Sequence, residues 1–256
     1  MPRRRIAVII TAFILFAFIY SLRASFPGPS YKTIFLLSGL LGCLATSRLL
    51  EMSEEETLVM GILFAVPMAD QIIHAHGFPW HVLEVLLLQV LIPLGLLYSV
   101  SRGLSLGDVG LSLGRRRITL KTTAMLLSLA GLMAVVGLMF PSMTSYYPIW
   151  QSGPGVTTGE FVYEETIIAI MMFGGEFFYR GLVLLILGRR SFWGAVLLQS
   201  LPYAFLHLGK PAVEVPYSLV AGIIFGWANL RSRSVLPSWV THFTGSALFD
   251  ALILLT

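Results

Sequence analysis

Nine apolar runs of about 16 to 28 residues, joined by short polar stretches, leave this chain little choice of fold. They cover Ile6 to Leu22, Thr33 to Leu50, Thr57 to Ile73, His81 to Val100, Thr122 to Phe140, Phe161 to Gly188, Ser191 to Leu206, Val215 to Leu230 and Val235 to Leu255. Backbone N–H and C=O groups in lipid must be satisfied within the segment, so such runs form helices. The pattern predicts an all-α polytopic membrane helix bundle of eight or nine transmembrane helices. Of 256 residues, 56% are hydrophobic and 12% charged, which excludes an ordinary soluble domain. Ile6 to Leu22 follows Arg3-Arg4-Arg5 and is read as a first span, since Leu22-Arg23-Ala24 lacks the small residue of a signal-peptide cleavage site. The single cysteine, Cys43, rules out an intrachain disulfide.

The net charge of +4 invites a nucleic-acid reading, but the basic residues cluster between apolar runs, where headgroups and topology account for them. Lipid is therefore the expected partner, and nucleic acid is not. With the N-terminus cytoplasmic, Arg3 to Arg5, Arg48, Arg102, Arg115 to Arg117, Lys121, Arg189, Arg190, Arg231 and Arg233 fall inside. Only Arg23, Lys32 and Lys210 fall outside. That asymmetry supports nine spans with the C-terminus outside, and the expected location is a bacterial-type plasma membrane, multi-pass.

Two joints are long. Ser101 to Lys121 contains Gly103-Leu-Ser-Leu-Gly107 and Gly110-Leu-Ser-Leu-Gly114. It reads as a structured surface segment dividing a four-span part, residues 1–100, from a core, residues 101–256. Pro141 to Gly159 holds Gly153, Pro154 and Gly155 near Gln151, together with the interface aromatics Tyr146, Tyr147 and Trp150. Gly222-x-x-x-Gly226 allows close helix packing, expected inside the bundle rather than between chains.

Charges inside a span are costly, by about 2.5 to 3.5 kcal/mol each on insertion scales, and so mark sites, relays or structural pairs. The helix expected over Glu160 to Gly188, ~43 Å long at 1.5 Å per residue, carries Glu165, Glu176 and Arg180. Eleven residues return to within about 20° of the same face, and Arg180 lies about 40° further round, so the three form one stripe turned to the bundle interior. Glu176 and Arg180 at i, i+4 are also the favoured orientation for a purely structural pair. Each of two later spans has one histidine, His207 and His242. A carboxylate and two imidazoles can activate water or hold a divalent metal such as zinc, with Glu176, His207 and His242 as ligands. Measured from the inner ends of the runs, Glu176 lies at about 18 Å, His207 at about 24 Å and His242 at about 10 Å, so convergence requires tilted helices or shifted boundaries near Pro202 and Pro237. A second set, Asp70, His74 and Glu84, admits a proton relay or, more simply, outer-interface histidines (His74, His76, His81) with Asp70 paired locally.

At Gly175-Glu176-x-x-x-Arg180-Gly181, Tyr203-x-x-x-His207 and His242-x-x-x-Ser246 the chain resembles the CPBP (CAAX-processing and bacteriocin-processing, or Abi) family of intramembrane proteases. That family's pattern is two adjacent glutamates with an arginine four residues after the second, then Phe-x-x-x-His, then His-x-x-x-Asn, on three spans. The resemblance covers Ser101 to the C-terminus. It implies an intramembrane endopeptidase acting on a membrane-associated peptide or protein, with Glu176, Arg180, His207, His242 and Ser246 as its site. Three positions depart from the pattern. Gly175 stands where the family has its water-activating glutamate, Tyr203 replaces phenylalanine, and Ser246 replaces the asparagine expected to stabilise the oxyanion. Three readings stay open from the residues: an active endopeptidase, a binding protein that kept the fold without the chemistry, and a transporter using Asp70 and Glu84.

Overall fold

The computed structural model describes residues 39, 51–73, 80–101, 103–150 and 155–256; side chains are described outside 71–81. The first two expected spans, Cys43, His74, His76, the His81 side chain, Arg102 and the Gln151-to-Pro154 stretch lie outside the described residues. The described residues form eight helices and no strand. These are α1 (Glu54–Ile73), α2 (Trp80–Val85, continuing through a π-helical stretch Leu86–Leu91 into Ile92–Val100), α3 (Arg116–Gly137) and the short α4 (Pro141–Thr144). They continue with α5 (Thr158–Glu176, π-helical Phe177–Val183, then Leu184–Leu187), α6 (Phe192–Leu206), α7 (Glu214–Ser232) and α8 (Leu236–Leu255). Among the described residues, four stretches are long and apolar enough to cross a membrane: Val82–Val100, Arg116–Gly137, Thr158–Leu187 and Leu236–Leu255. This is an integral membrane protein.

Helix starts follow local chemistry. Ser53 and Glu56 exchange side-chain-to-backbone hydrogen bonds ahead of α1, and Thr157 and Glu160 do the same ahead of α5. Ser191 accepts from the Gly194 N–H to begin α6. Pro237 sits in the first turn of α8, where its missing N–H costs nothing, whereas Pro202 lies inside α6.

The centre of the bundle is α5. Of its span-length stretch 72% is buried, against 17% for α2 and 22% for α3 and α8, so α5 is enclosed by the others while they show apolar faces outward. Phe177, Phe178, Leu182 and Val183 meet Leu63 of α1, Leu97 of α2 and Val196 and Phe205 of α6 in one core. Helices α6 and α7 pack at the small-residue pair predicted to do so: a Cβ on Gly222 would meet Ser200, and one on Gly226 would meet Gln199. Gln199 also donates to the Gly222 carbonyl at 2.9 Å.

The 101–115 joint is more than surface. Val109 is fully buried, and its carbonyl would sit 2.7 Å from a Cβ on Gly181, so only glycine lets the joint touch α5 there. Gly110, at φ +82, accepts from the Val235 N–H at 3.1 Å, Ser112 accepts from Ser234 Oγ at 2.6 Å, and the Arg115 N–H donates to Ser232 at 2.7 Å. The joint thereby covers the α7–α8 turn. Ser232 and Ser234 are wholly buried beneath it. At this same end Arg189 pairs with Glu55 (3.2 Å) and Asp108 (3.0 Å), and Arg190 with Glu56 (2.9 Å). Arg233 also approaches Asp108, at 3.9 Å, so three of the expected inner basic residues meet at this end among the described residues.

Candidate active site

The i, i+4 spacing on α5 delivers the expected pair: Arg180 Nη1 donates to Glu176 Oε1 at 2.6 Å. Both side chains are closed off, at 0% and 1% exposure. Arg180 projects from the π-helical turn, a widening of the helix that recurs at functional sites because it re-aims side chains. Its guanidinium lies 3.9 Å from the centre of the Tyr203 ring on α6 and 5.5 Å from that of Phe225 on α7. The charge is thus held by one carboxylate and two aromatic faces, each desolvated cation–π contact contributing up to about 2 kcal/mol.

Helix α8 adds the third member. His242 Nδ1 lies 2.8 Å from Glu176 Oε1. An ionised carboxylate only accepts, so Nδ1 carries the hydrogen and, in the neutral imidazole, Nε2 carries the lone pair. The ring is placed by the first turn of α8. There the Asn229 carboxamide donates to Ser238 Oγ at 2.7 Å and accepts from the Ser238 N–H at 3.3 Å, and Trp239 Nε1 donates to the Ala169 carbonyl of α5 at 3.0 Å. The expected depth mismatch between Glu176 and His242 disappears because α8 starts partway along α5: a Cβ on Gly110 would meet both the Val235 N–H, at 3.2 Å, and Gly181 of α5, at 3.5 Å. The joint thus sets α8 beside the middle of α5, while Arg231 and Arg233 of the α7–α8 turn stay exposed.

His207 closes α6. Its Nδ1 donates to the Tyr203 carbonyl at 2.9 Å, which again leaves Nε2 as the acceptor in the neutral ring. The ring lies 4.8 Å from that of Tyr203, whose other neighbours include His242 at 6.4 Å. Tyr203 is therefore the shared wall between the two imidazoles and the arginine. His207 Nε2 faces Glu214 Oε1 at 3.8 Å, and Glu214 is held by Lys210 (3.0 Å) and the Tyr147 hydroxyl (2.9 Å). Burial, and then Glu214, push the Tyr147 phenol well above its ordinary pKa, which keeps it a hydrogen-bond donor.

Several expected residues fall elsewhere. Glu165 is buried but accepts from Trp150 Nε1 at 3.2 Å, three turns from the site, so the predicted stripe divides between two clusters. Ser246 lies one turn beyond His242 and makes no hydrogen bond among the described residues. Asp70 and Glu84 sit on α1 and α2, and His74 lies outside the described residues. The metal set does not converge: among the described residues no three His, Cys, Asp or Glu side chains come together to hold an ion. Glu176 Oε1 already serves Arg180 and His242, and both histidines spend Nδ1 on protein partners. These donors fit a proton-transfer site better than a coordination sphere.

Asn229 and Ser238 escaped sequence reasoning, and Tyr203 entered it only as a motif position, not as the ring against Arg180. A buried arginine without a second acid nearby signals an aromatic partner, and the polar Asn229 near the end of an apolar run signals a bracket of this kind.

Comparison with known proteins adds one finding. Residues 161–248 match the family model described as type II CAAX prenyl endopeptidase Rce1-like. Neither a curated protein nor a solved structure matches the chain. The matched stretch, about a third of the chain, holds Glu176, Arg180, His207, His242 and Ser246 together, and it is this segment that is similar to an Rce1-like domain.

Proposed function

We propose that this protein is an intramembrane endopeptidase that hydrolyses a membrane-associated peptide, with His242 as the general base. The observation that carries this reading is the division of exposure in the dyad: the Glu176 side chain is 1% exposed and that of His242 29%. A substrate reaches the imidazole, not the carboxylate. Glu176 takes the orienting part: it holds Nδ1–H, leaves Nε2 free, and stabilises the imidazolium once formed.

In the step this implies, His242 Nε2 accepts a proton from water as the water oxygen bonds to the scissile carbonyl carbon. The imidazolium and the alkoxide are created together, so the pocket's net charge is unchanged while Arg180 keeps Glu176 ionised. The imidazolium then returns its proton to the peptide nitrogen as the C–N bond breaks. Products are a carboxylic acid and an amine, which at neutral pH become carboxylate and ammonium by passing one proton between them, and water is the only co-reactant. Ser246, a turn beyond His242, takes the part of donor to the alkoxide in this reading. His207 borders the same aromatic wall and positions Tyr203 through its carbonyl.

The matched family favours a CAAX-type tail as substrate, and the nine apolar runs favour a multi-pass protein with the charged end of the bundle in the cytoplasm of a bacterial-type cell. The test is cleavage of a farnesylated CAAX peptide and its unprenylated counterpart by purified protein in lipid vesicles. The reading predicts turnover that falls by at least about 100-fold in His242→Ala and in Glu176→Ala. Equal traces from the wild type and both variants would leave a fold without the chemistry.

A further inference from the structure

A polar side chain from outside the matched segment also reaches this site. The two glycines before Glu176 are where α2 lies against α5. A Cβ on Gly174 would lie 2.5 Å from Val85 Cγ1, so a larger residue there is barred by α2 itself. A Cβ on Gly175 would meet a different neighbour: Gln89 Oε1, at 3.5 Å. Gln89 belongs to the π-helical stretch Leu86–Leu91, and Arg180 to the π-helical stretch of α5, and these two widened turns pack against each other. Gln89 is only partly buried, and its carboxamide makes no hydrogen bond among the described residues. A primary amide on an otherwise apolar helix, unsatisfied by protein and next in space to the dyad's own backbone, requires a polar partner. Water or a substrate amide is the partner that a hydrolytic site supplies.

We infer that Gln89 is a catalytic residue that α2 contributes to the α5–α6–α8 site, its carboxamide oxygen holding the attacking water in the space Gly175 leaves open. The inference rests on the endopeptidase reading and deepens it. A carboxamide takes no proton at neutral pH, so Gln89 orients the water and His242 Nε2 removes its proton; atoms and charges balance as in the step above. The competing explanation is that Gln89 merely fills volume beside a glycine.

Three variants separate these. Gln89→Met keeps the volume and loses the oxygen; it is expected to lower kcat by about 100-fold with KM little changed. Gln89→Glu keeps the oxygen and adds an ionisation; it is expected to retain turnover and gain an acidic limb in its pH–rate profile. Wild-type kcat in Gln89→Met would overturn the inference and leave the endopeptidase reading intact. The third readout needs no turnover: Gln89→Cys, on a Cys43→Ser background, is exposed to a water-soluble methanethiosulfonate reagent in vesicles. Labelling slowed by the farnesylated peptide is expected, and an inert thiol would overturn the inference. Protected labelling of Gln89→Cys, together with a wild-type chain that cleaves nothing, would instead sink the endopeptidase reading and with it the catalytic part of this inference, leaving Gln89 as a hydrated group in a peptide-binding site.

Discussion

Two sets of carboxylate–arginine pairs in this protein have similar lengths and opposite settings. At the charged end, Arg189 meets Glu55 at 3.2 Å and Asp108 at 3.0 Å with 39% of its side chain exposed. In the middle of α5, Arg180 meets Glu176 at 2.6 Å with none exposed. The first set competes with water and salt, and each pair contributes little beyond tying α1, the 101–115 joint and the α5–α6 turn to one end. The second cannot exchange its partner for solvent, so whatever shares Glu176 is strongly committed. His242 shares it. The contrast teaches that an ion pair in this chain becomes useful chemistry only where burial forces a third group to complete it.

The comparison breaks most visibly if Arg180 is left alone. Glu176→Ala should destabilise the protein by about 3–5 kcal/mol, the cost typical of stripping a buried charge of its partner, measured as reversible unfolding in mixed micelles. A loss near zero would place Arg180 in water. Next comes the joint that sets α8 beside α5. Gly181→Val forces side-chain atoms against the Val109 carbonyl and should cost roughly 1–3 kcal/mol by overpacking. It should also slow cleavage more than its stability loss explains, because α8 carries His242. Tyr203→Leu should then cost about 2 kcal/mol through the lost guanidinium–ring contact, and Tyr203→Phe much less, since the face is retained.

Arg189→Ala should shift stability by only about 0.2–1 kcal/mol and leave cleavage unchanged. A large effect would mean the surface set is coupled to the site. The smallest expected effect concerns acid. Hydrogen bonds from the Ser105 side chain and backbone, and then Arg189, hold the Asp108 carboxyl below its ordinary range. A depressed folded pKa gives stability that is present above the unfolded value and lost as pH falls through the folded one. Wild type should thus show a small loss below about pH 4 that Asp108→Asn lacks.

Much of this was legible in sequence. Glu176 and Arg180 announced themselves as charges in an apolar run, and one histidine in each of two later spans pointed to partners. Of the basic residues expected on one side, Arg189, Arg190 and Arg233 meet acids at one end. The role of the 101–115 joint was not legible, because its glycine repeat looks like any loop until Val109 is found against Gly181. That same burial sets the depth of α8, which is why run boundaries misplace His242. Glu165 looked like a member of the site by helical phase alone, but phase gives the face and not the height, and Trp150 holds it elsewhere. The π-helical turns, and with them the aim of Arg180 and Gln89, have no period in sequence to reveal them.

The account turns on a hydrogen held between Glu176 and His242. Nitrogen-15 NMR of histidine-labelled protein in lipid, with His242→Asn used to assign the signal, reads which ring nitrogen carries it. The result predicted at neutral pH is a protonated Nδ1 and a bare Nε2 that change on Glu176→Gln. A proton on Nε2 with Nδ1 bare, unaffected by that substitution, would contradict it.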